Sequence, residues 1–336
     1  MPKITIVGAG ITGMAVASML SRSNEVTIVA RNLPGDEESR EWSSPWAGAC
    51  FLGLDGSTPF EQKLQTDSFS YLWSLAKSHP ESSVRIIEMH DLQDDTPLEN
   101  IWYRDMMPEF RVMSPSELPD GVKVGMSYKS VVITPAVFLP WLRKKLEASG
   151  VKFVRKDLKS LSEMKGFGHD VLVNATGFGA KFLEDVADEG VVQIRGQTVL
   201  VKTDHDKIFM RHGKDYTYVI PRLDGTAILG GIKQVGETYP EVDQDVKLDI
   251  LRRVHENLPQ TFSGKQPADF DIIRDNVGIR PGRSPGVRVE KEVIDGQNIV
   301  HAYGTGGGGY VFSFGLARAA GTMVNDFMFA APKSRL

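Results

Sequence analysis

A chain of 336 residues with 41% hydrophobic and 24% charged content is long enough for two domains with substantial cores, and its balance excludes a disordered or membrane-embedded fold. A net charge of -4, from 39 basic and 43 acidic residues, offers neither a polycationic field for nucleic acid nor a basic amphipathic segment for a membrane, so small molecules are the expected partners. The single cysteine, Cys50, excludes intrachain disulfides and thiolate metal clusters, and the seven histidines are scattered without ligand spacing, so no metal is expected.

Residues 3–7 (KITIV) predict a strand, 11–21 a helix and 25–30 (EVTIVA) a second strand, the start of a βαβ unit. Gly8, Gly10 and Gly13 interrupt this apolar stretch and no small-residue cleavage site follows, so it reads as strand-turn-helix and not as a signal peptide. After a polar loop over 32–44, Thr58 and Pro59 supply the N-cap and first turn of a helix to about residue 78, with Leu64, Leu72 and Leu75 turned inward. Thr134-Pro135 repeats that opening, with Phe138, Trp141, Leu142 and Leu146 at helical spacing and Gly150 as the stop. Strands are expected at 151–154 and 171–174.

The intervening segments 83–131 and 191–231 carry short β-type runs, including a hairpin with arms 216–221 and 226–229 around Leu223-Asp224-Gly225. A helix over 245–258 stops at Pro259, residues 286–293 alternate, and 299–300 is an apolar run before Gly304, Gly306, Gly307, Gly308 and Gly309. Helical spacing resumes from Ser313 to Ala330. The expected fold class is α/β (α+β), a Rossmann-like nucleotide domain (1–82, 132–190, 276–330) interleaved with an antiparallel β substrate domain (83–131, 191–275), with a C-terminal tail at 331–336.

Gly8-Ala9-Gly10-Ile11-Thr12-Gly13 sits between a strand and a helix, where glycines make the tight turn, let backbone approach a pyrophosphate and allow close helix packing. The second strand ends Val29-Ala30-Arg31, where an acidic residue would take a ribose hydroxyl; an arginine there suits a 2′-phosphate and leaves NADP open. The second glycine-rich turn at 304–309 favours a cofactor held at both ends, as FAD would be. Asn174, Thr176 and Gly177 offer a third contact after a strand.

These segments resemble the D-amino-acid oxidase family of FAD oxidases, which includes D-aspartate oxidases. The resemblance rests on the VGAGITG start, Ser44-Pro45-Trp46-Ala47-Gly48-Ala49, the NATG turn, Arg195-Gly196-Gln197, Tyr218-Val219-Ile220-Pro221, Leu229-Gly230-Gly231, Val277-Gly278-Ile279-Arg280-Pro281 and the run from Ile299 to Ala317. It implies FAD as cofactor, with Ala47, Gly48 and Ala49 along the flavin ring, Gly304 and Gly306 to Gly309 at its edge, Ser43, Ser44 and Tyr310 among the cofactor contacts, and Arg31 compatible with FAD. It implies that Arg280 binds the substrate α-carboxylate as a fork, that Tyr218 donates to it, and that the Gly307 carbonyl accepts from the amine. The implied reaction is hydride transfer from Cα to flavin N5, with oxygen giving hydrogen peroxide and the imino acid hydrolysing to a 2-oxo acid and ammonia. No general base is implied, and His301 is expected to be structural.

Arg211 and Lys233 resemble the two arginines that hold a side-chain carboxylate in D-aspartate oxidases, which implies a range including acidic D-amino acids. D-aspartate oxidase and a glycine- or sarcosine-type amine oxidase are the alternatives. Leu52-Gly53 departs from the family and suggests a more open pocket, and Cys50 beside it is expected to be a buried, inert thiol. The ending Ser334-Arg335-Leu336 resembles a peroxisomal address read by an import receptor. Peroxisomal localisation and a homo-oligomer are expected on the resemblance.

Overall fold

In the first strand of the chain, the four residues after Lys3 are buried in succession with no polar alternation, the pattern of a parallel strand covered on both faces. The computed structural model describes residues 1–222 and 224–329. Leu223 of the expected turn, Ala330 at the expected helix end and the Ser334-Arg335-Leu336 address lie outside the described residues.

The chain runs β1 (Lys3–Val7), α1 (Ile11–Leu20), β2 (Glu25–Ala30), α2 (Pro59–Ser78), β3 (Arg85–Gln93), β4 (Arg111–Val112), β5 (Val124–Val132), α3 (Pro135–Ala148), β6 (Lys152–Arg155) and β7 (Val171–Asn174). It continues through β8 (Val191–Lys202), β9 (Ile208–His212), β10 (Thr217–Pro221), β11 (Thr226–Gly230), β12 (Gln234–Val235), α4 (Gln244–Asn257), β13 (Ile272–Arg283), β14 (Arg288–Ile294), β15 (Gln297–Tyr303) and α5 (Gly309–Phe329).

A six-stranded sheet has the order β14-β15-β7-β1-β2-β6. All its pairings are parallel except that of β14, which lies antiparallel at the edge. The helix α1 buries Ile11, Met14, Ala15, Val16, Ala17 and Leu20, apolar nearly all round, because the sheet lies on one side and α5 on the other. In α2 the Thr58 side chain accepts from Glu61 N (3.3 Å) while Glu61 Oε2 accepts from Thr58 N (2.9 Å), closing the helix start; Leu64, Leu72 and Leu75 are buried behind it. Each such leucine contributes about 1.5–3 kcal/mol by leaving water.

The second sheet has nine strands in the order β12-β8-β11-β10-β9-β3-β5-β4, with β13 antiparallel to β8. Its outer face, with Val199, Val201, Phe209, Val219, Ala227 and Leu229, packs on Ile250, Leu251 and Val254 of α4. Its inner face looks back at the first sheet.

Three expectations change. The helix after the last glycines begins at Gly309, four residues ahead of Ser313, because the glycine turn itself winds into it. Thr134 holds the N-cap position of α3 but makes no capping bond, since its hydroxyl donates to Arg222 O (3.1 Å). The second sheet continues past residue 276, because β13 stays paired with β8 as far as Arg283. The alternating run pairs with β15 from Arg288 to Ile294 and extends the parallel sheet as its edge, inside the span expected for the nucleotide domain.

Candidate active site

A cavity of about 690 Å³ follows the carboxyl ends of five neighbouring strands. It runs from Gly304–Gly309 after β15, past Thr176 and Gly177 after β7 and Gly8–Thr12 after β1, to Arg31 and Asn32 after β2 and Lys156–Leu158 after β6. Four strand spacings make this path about 19 Å long, an extended slot suited to a dinucleotide.

At its middle, Gly8 has φ +113° and its missing Cβ would stand 2.3 Å from Ala175 O. Gly13, by contrast, does not face the cavity; a Cβ there would meet Gly8 O at 1.9 Å, so this glycine lets α1 rest on the turn. The helix N-terminus opens into the slot without an acidic residue in its first turn, as an anionic pyrophosphate requires. Ser44 Oγ takes the Ile11 N–H (3.0 Å), whereas the indole N–H of Trp42, 4.0 Å from the point where a Gly10 Cβ would be, is buried with no partner among the described residues. Ala9, Gly10, Ile11, Thr12, Ser43, Ala47, Gly48 and Ala49 all line the cavity. An anion-seeking helix end, glycines that bare the backbone and a spare donor fit an FAD.

Asn174 is fully buried and does not line the slot. Its Oδ1 accepts from Thr176 N (3.2 Å) and Thr176 Oγ1 (2.7 Å), which sets the turn that does line it. Asn174 Nδ2 donates to His301 Nδ1 (3.1 Å), so the ring proton sits on Nε2, which faces Glu292 Oε2 at 2.9 Å. His301 therefore ties β7 to β15 and β14.

The far glycine turn, with φ +84° at Gly304, is fixed by Asp188, which accepts from Arg283 Nε and Tyr303 Oη (both 2.7 Å). Burial alone pushes the Asp188 carboxyl up, but these hydrogen bonds outweigh it and hold the group below its ordinary value. Gly306–Gly309 line the cavity, and Tyr310 joins the two ends by donating to Ser44 O (3.1 Å).

The remaining wall is the inner face of the antiparallel sheet. Residues opposite each other in an antiparallel pair share a face. Tyr218 lies opposite Met210 and Gly230, and Arg280 opposite Ile194, so Met210, His212, Tyr218, Ile220, Ile194, Gly196, Thr198, Asn276, Gly278 and Arg280 all face the slot. Glycines make the seats: a Cβ on Gly196 would stand 2.6 Å from Arg280 Nη1, and on Gly230 or Gly231 within 2.2 Å of the Tyr218 ring. Arg280 Nη1 donates to Ile232 O (2.9 Å) and Nη2 lies 3.5 Å from Tyr218 Oη, and among the described residues none of its partners is a carboxylate. Gly307 is beside it, with its notional Cβ 3.5 Å from Arg280 Cδ. The structure thus brings Arg280, Tyr218 and Gly307 together at the β15 end of the slot.

Arg211 is not with them. It lies opposite Thr217, on the outer face, where Nε donates to Asp94 (2.8 Å), Nη1 to Asn257 (3.0 Å) and Nη2 to Asp120 O (3.1 Å). The neighbouring His212 faces the cavity, its Nε2 3.4 Å from the buried Asp91. Lys233 does reach the slot, its Nζ 4.4 Å from the centre of the Tyr216 ring. Desolvation, then Arg280, lower its pKa, with Asp55 opposing. Gly53 does not open the pocket either, because the Tyr103 ring fills the space beside it. Burial, with Asp91 adding to it, pushes the Cys50 thiol up to about 12.

Sequence reasoning missed Glu41, Trp42, Asp55, Phe182, His212 and Tyr216, all lining the cavity. None had a usable signal, since His212 shares the Tyr218 face only through the β9–β10 register.

The family model described as FAD dependent oxidoreductase matches residues 3–323. The D-amino-acid oxidase of Schizosaccharomyces pombe is 34% identical over 99% of this chain and 97% of its own. The D-aspartate oxidase of Talaromyces thermophilus is 31% identical, with the same coverage. The crystal structure of a glycine oxidase from Bacillus cereus superposes with a TM-score of 0.76 at 16% identity, over 97% of this chain and 95% of that one, and so shares the fold. With a dinucleotide slot across the ends of five neighbouring strands and a family match that spans nearly its full length, the chain belongs to the FAD-dependent oxidoreductases and uses FAD as its cofactor.

Proposed function

We propose that the protein is a D-amino-acid oxidase, converting a D-amino acid, oxygen and water to a 2-oxo acid, ammonia and hydrogen peroxide. The observation that carries this is the Arg280 guanidinium, seated against Gly196, free of any carboxylate partner among the described residues and flanked by Tyr218 and Gly307. A planar fork beside a phenol is a receptor for a carboxylate. With the α-carboxylate on Arg280 and Tyr218 and the amine toward the Gly307 carbonyl, the substrate is fixed at two points and its Cα–H presented in one direction, which converts binding energy into orientation. FAD, when bound, supplies the two-electron acceptor and passes the electrons to oxygen. The imino acid is then hydrolysed by water to the 2-oxo acid and ammonia. The relatives named D-amino-acid oxidase and D-aspartate oxidase support this reading.

The test is anaerobic reduction of the yellow holoenzyme. D-Alanine is expected to bleach the flavin absorbance, with L-alanine and NADPH inert; reduction by NADPH, or by glycine and sarcosine alone, would overturn the assignment.

Lys233 extends the range toward acidic D-amino acids, as the cation that lines the slot near Tyr216 and Arg280. Arg211 lends no support, being spent on Asp94. We also propose that Ser334-Arg335-Leu336 directs the protein to peroxisomes through an import receptor, which suits a producer of hydrogen peroxide. Removing these three residues should release a fluorescent fusion, tagged at its N-terminus, into the cytosol. A homo-oligomer completes the proposal; light scattering during gel filtration would report a single-chain mass of 37.1 kDa if it is wrong.

A further inference from the structure

The strand-end position that in dinucleotide folds carries an acidic residue for the adenosine ribose is occupied here by Ala30 and Arg31. The structure assigns that task to Glu41: we propose that this carboxylate, delivered by the loop after β2 and held by Arg31, accepts the ribose hydroxyls of FAD.

Three observations support it. Glu41 lines the same slot as Arg31 and Asn32, at the end of β2, next to the pyrophosphate-binding turn after β1. Its Oε2 is 2.6 Å from Arg31 Nη2, while Oε1 has no partner among the described residues and is free to accept a hydroxyl. The two side chains are about half exposed (50% and 54%), and an ion pair so wet contributes little to folding, so holding the fold together does not account for it. The placement is fixed from behind: Arg155 Nη1 donates to Arg31 O (3.1 Å) and Arg155 also pairs with Asp36 (2.6 and 2.7 Å). Trp42, next in the chain, places its unpartnered indole N–H near Gly10, so the loop follows the cofactor path from pyrophosphate to ribose.

A consequence is selectivity. Arg31 alone would welcome a ribose 2′-phosphate; with Glu41 on its guanidinium that phosphate meets a carboxylate, and a free diol is preferred. Among the described residues the one rival acid on the slot beyond β2 is Asp157, which follows β6, a strand further from the pyrophosphate turn.

The test uses binding alone. FAD dissociation constants are measured by flavin fluorescence for wild type, Glu41→Gln, Glu41→Asp and Asp157→Asn, with ADP-ribose and its 2′-phosphorylated form as competitors. Loss of a hydrogen bond to a charged group is expected to weaken FAD about ten- to a hundredfold in Glu41→Gln, with a smaller loss in Glu41→Asp, which keeps the charge at shorter reach. The preference for ADP-ribose over its phosphorylated form should shrink or reverse in Glu41→Gln, as Arg31 becomes available. Wild-type affinity and selectivity in Glu41→Gln, or a loss confined to Asp157→Asn, would overturn the proposal. It rests on FAD binding and not on the amino-acid substrate, so it stands or falls apart from the oxidase assignment.

Discussion

The Arg280 guanidinium and the Tyr218 hydroxyl, 3.5 Å apart, stand on two strands that are not neighbours, β13 and β10, with β8 and β11 between them. Only the sheet's common inner face brings them into one receptor. If both hold one carboxylate, Arg280→Lys, which keeps the charge but loses the fork, should lower kcat/KM for D-alanine about ten- to a hundredfold. Tyr218→Phe, losing a single neutral donor, should lower it about three- to tenfold. Steady-state kinetics decides, and equal losses in both variants would deny the fork its special place.

Arg211 and Lys233 are expected to separate cleanly. Arg211→Ala leaves Asp94 without its buried partner and should cost about 3–5 kcal/mol of stability, read as a fall in Tm, with the D-aspartate to D-alanine ratio unchanged. Lys233→Met should leave Tm nearly as it is and lower that ratio about tenfold. A changed ratio in Arg211→Ala at full stability would place it back in the pocket.

The Lys233 charge also gives the preference a pH dependence. Its pKa lies below the usual lysine value of 10.5, so the ammonium is present at lower pH and lost as pH rises through the lowered value. The D-aspartate to D-alanine ratio of kcat/KM should fall on the alkaline side before pH 10.5, and the fall should vanish in Lys233→Met.

His301 sets a stability profile. Burial, then Arg288, lower its pKa, so the unfolded chain takes up a proton that the folded ring resists. Its contribution is complete above the ordinary value of 6.5 and shrinks as pH falls from there through the folded value. Urea midpoints at pH 7.5 and 5.5 should differ less in His301→Gln than in wild type; an identical difference would show that other groups carry it.

Cys50 should stay silent to thiol reagents. At pH 8 the native protein is expected to react with dithionitrobenzoate far more slowly than the urea-unfolded chain, which should release one equivalent, because its pKa of about 12 leaves almost no thiolate.

The cofactor half was legible because its signals are local. Gly8, Gly10 and Gly13 sit within one turn, and the Thr58–Glu61 box and the apolar run of β1 need only near neighbours. In the substrate half, Arg280 and Tyr218 were legible only through the family resemblance of the Val277–Pro281 and Tyr218–Pro221 segments. Arg211 shows the limit: seven residues before Tyr218, it has the right chemistry and spacing but the wrong parity, and spacing across a turn does not reveal which face a residue takes until the register is known. Glu41 was hidden for another reason, since a loop can carry a carboxylate back to a strand end without leaving any periodic trace.

The chain passes between its two sheets four times, and β13 lies along β8 for most of its length before feeding β14. Neither sheet is therefore a contiguous stretch of sequence that could be copied, exchanged or expressed alone. A lineage built on this plan can vary its substrate range by changing residues on the inner sheet face, but it cannot shuffle a ready-made substrate module onto a new cofactor module. The slot also stays unfinished during synthesis until the glycine turn at 304–309 has been made, long after the first turn at Gly8.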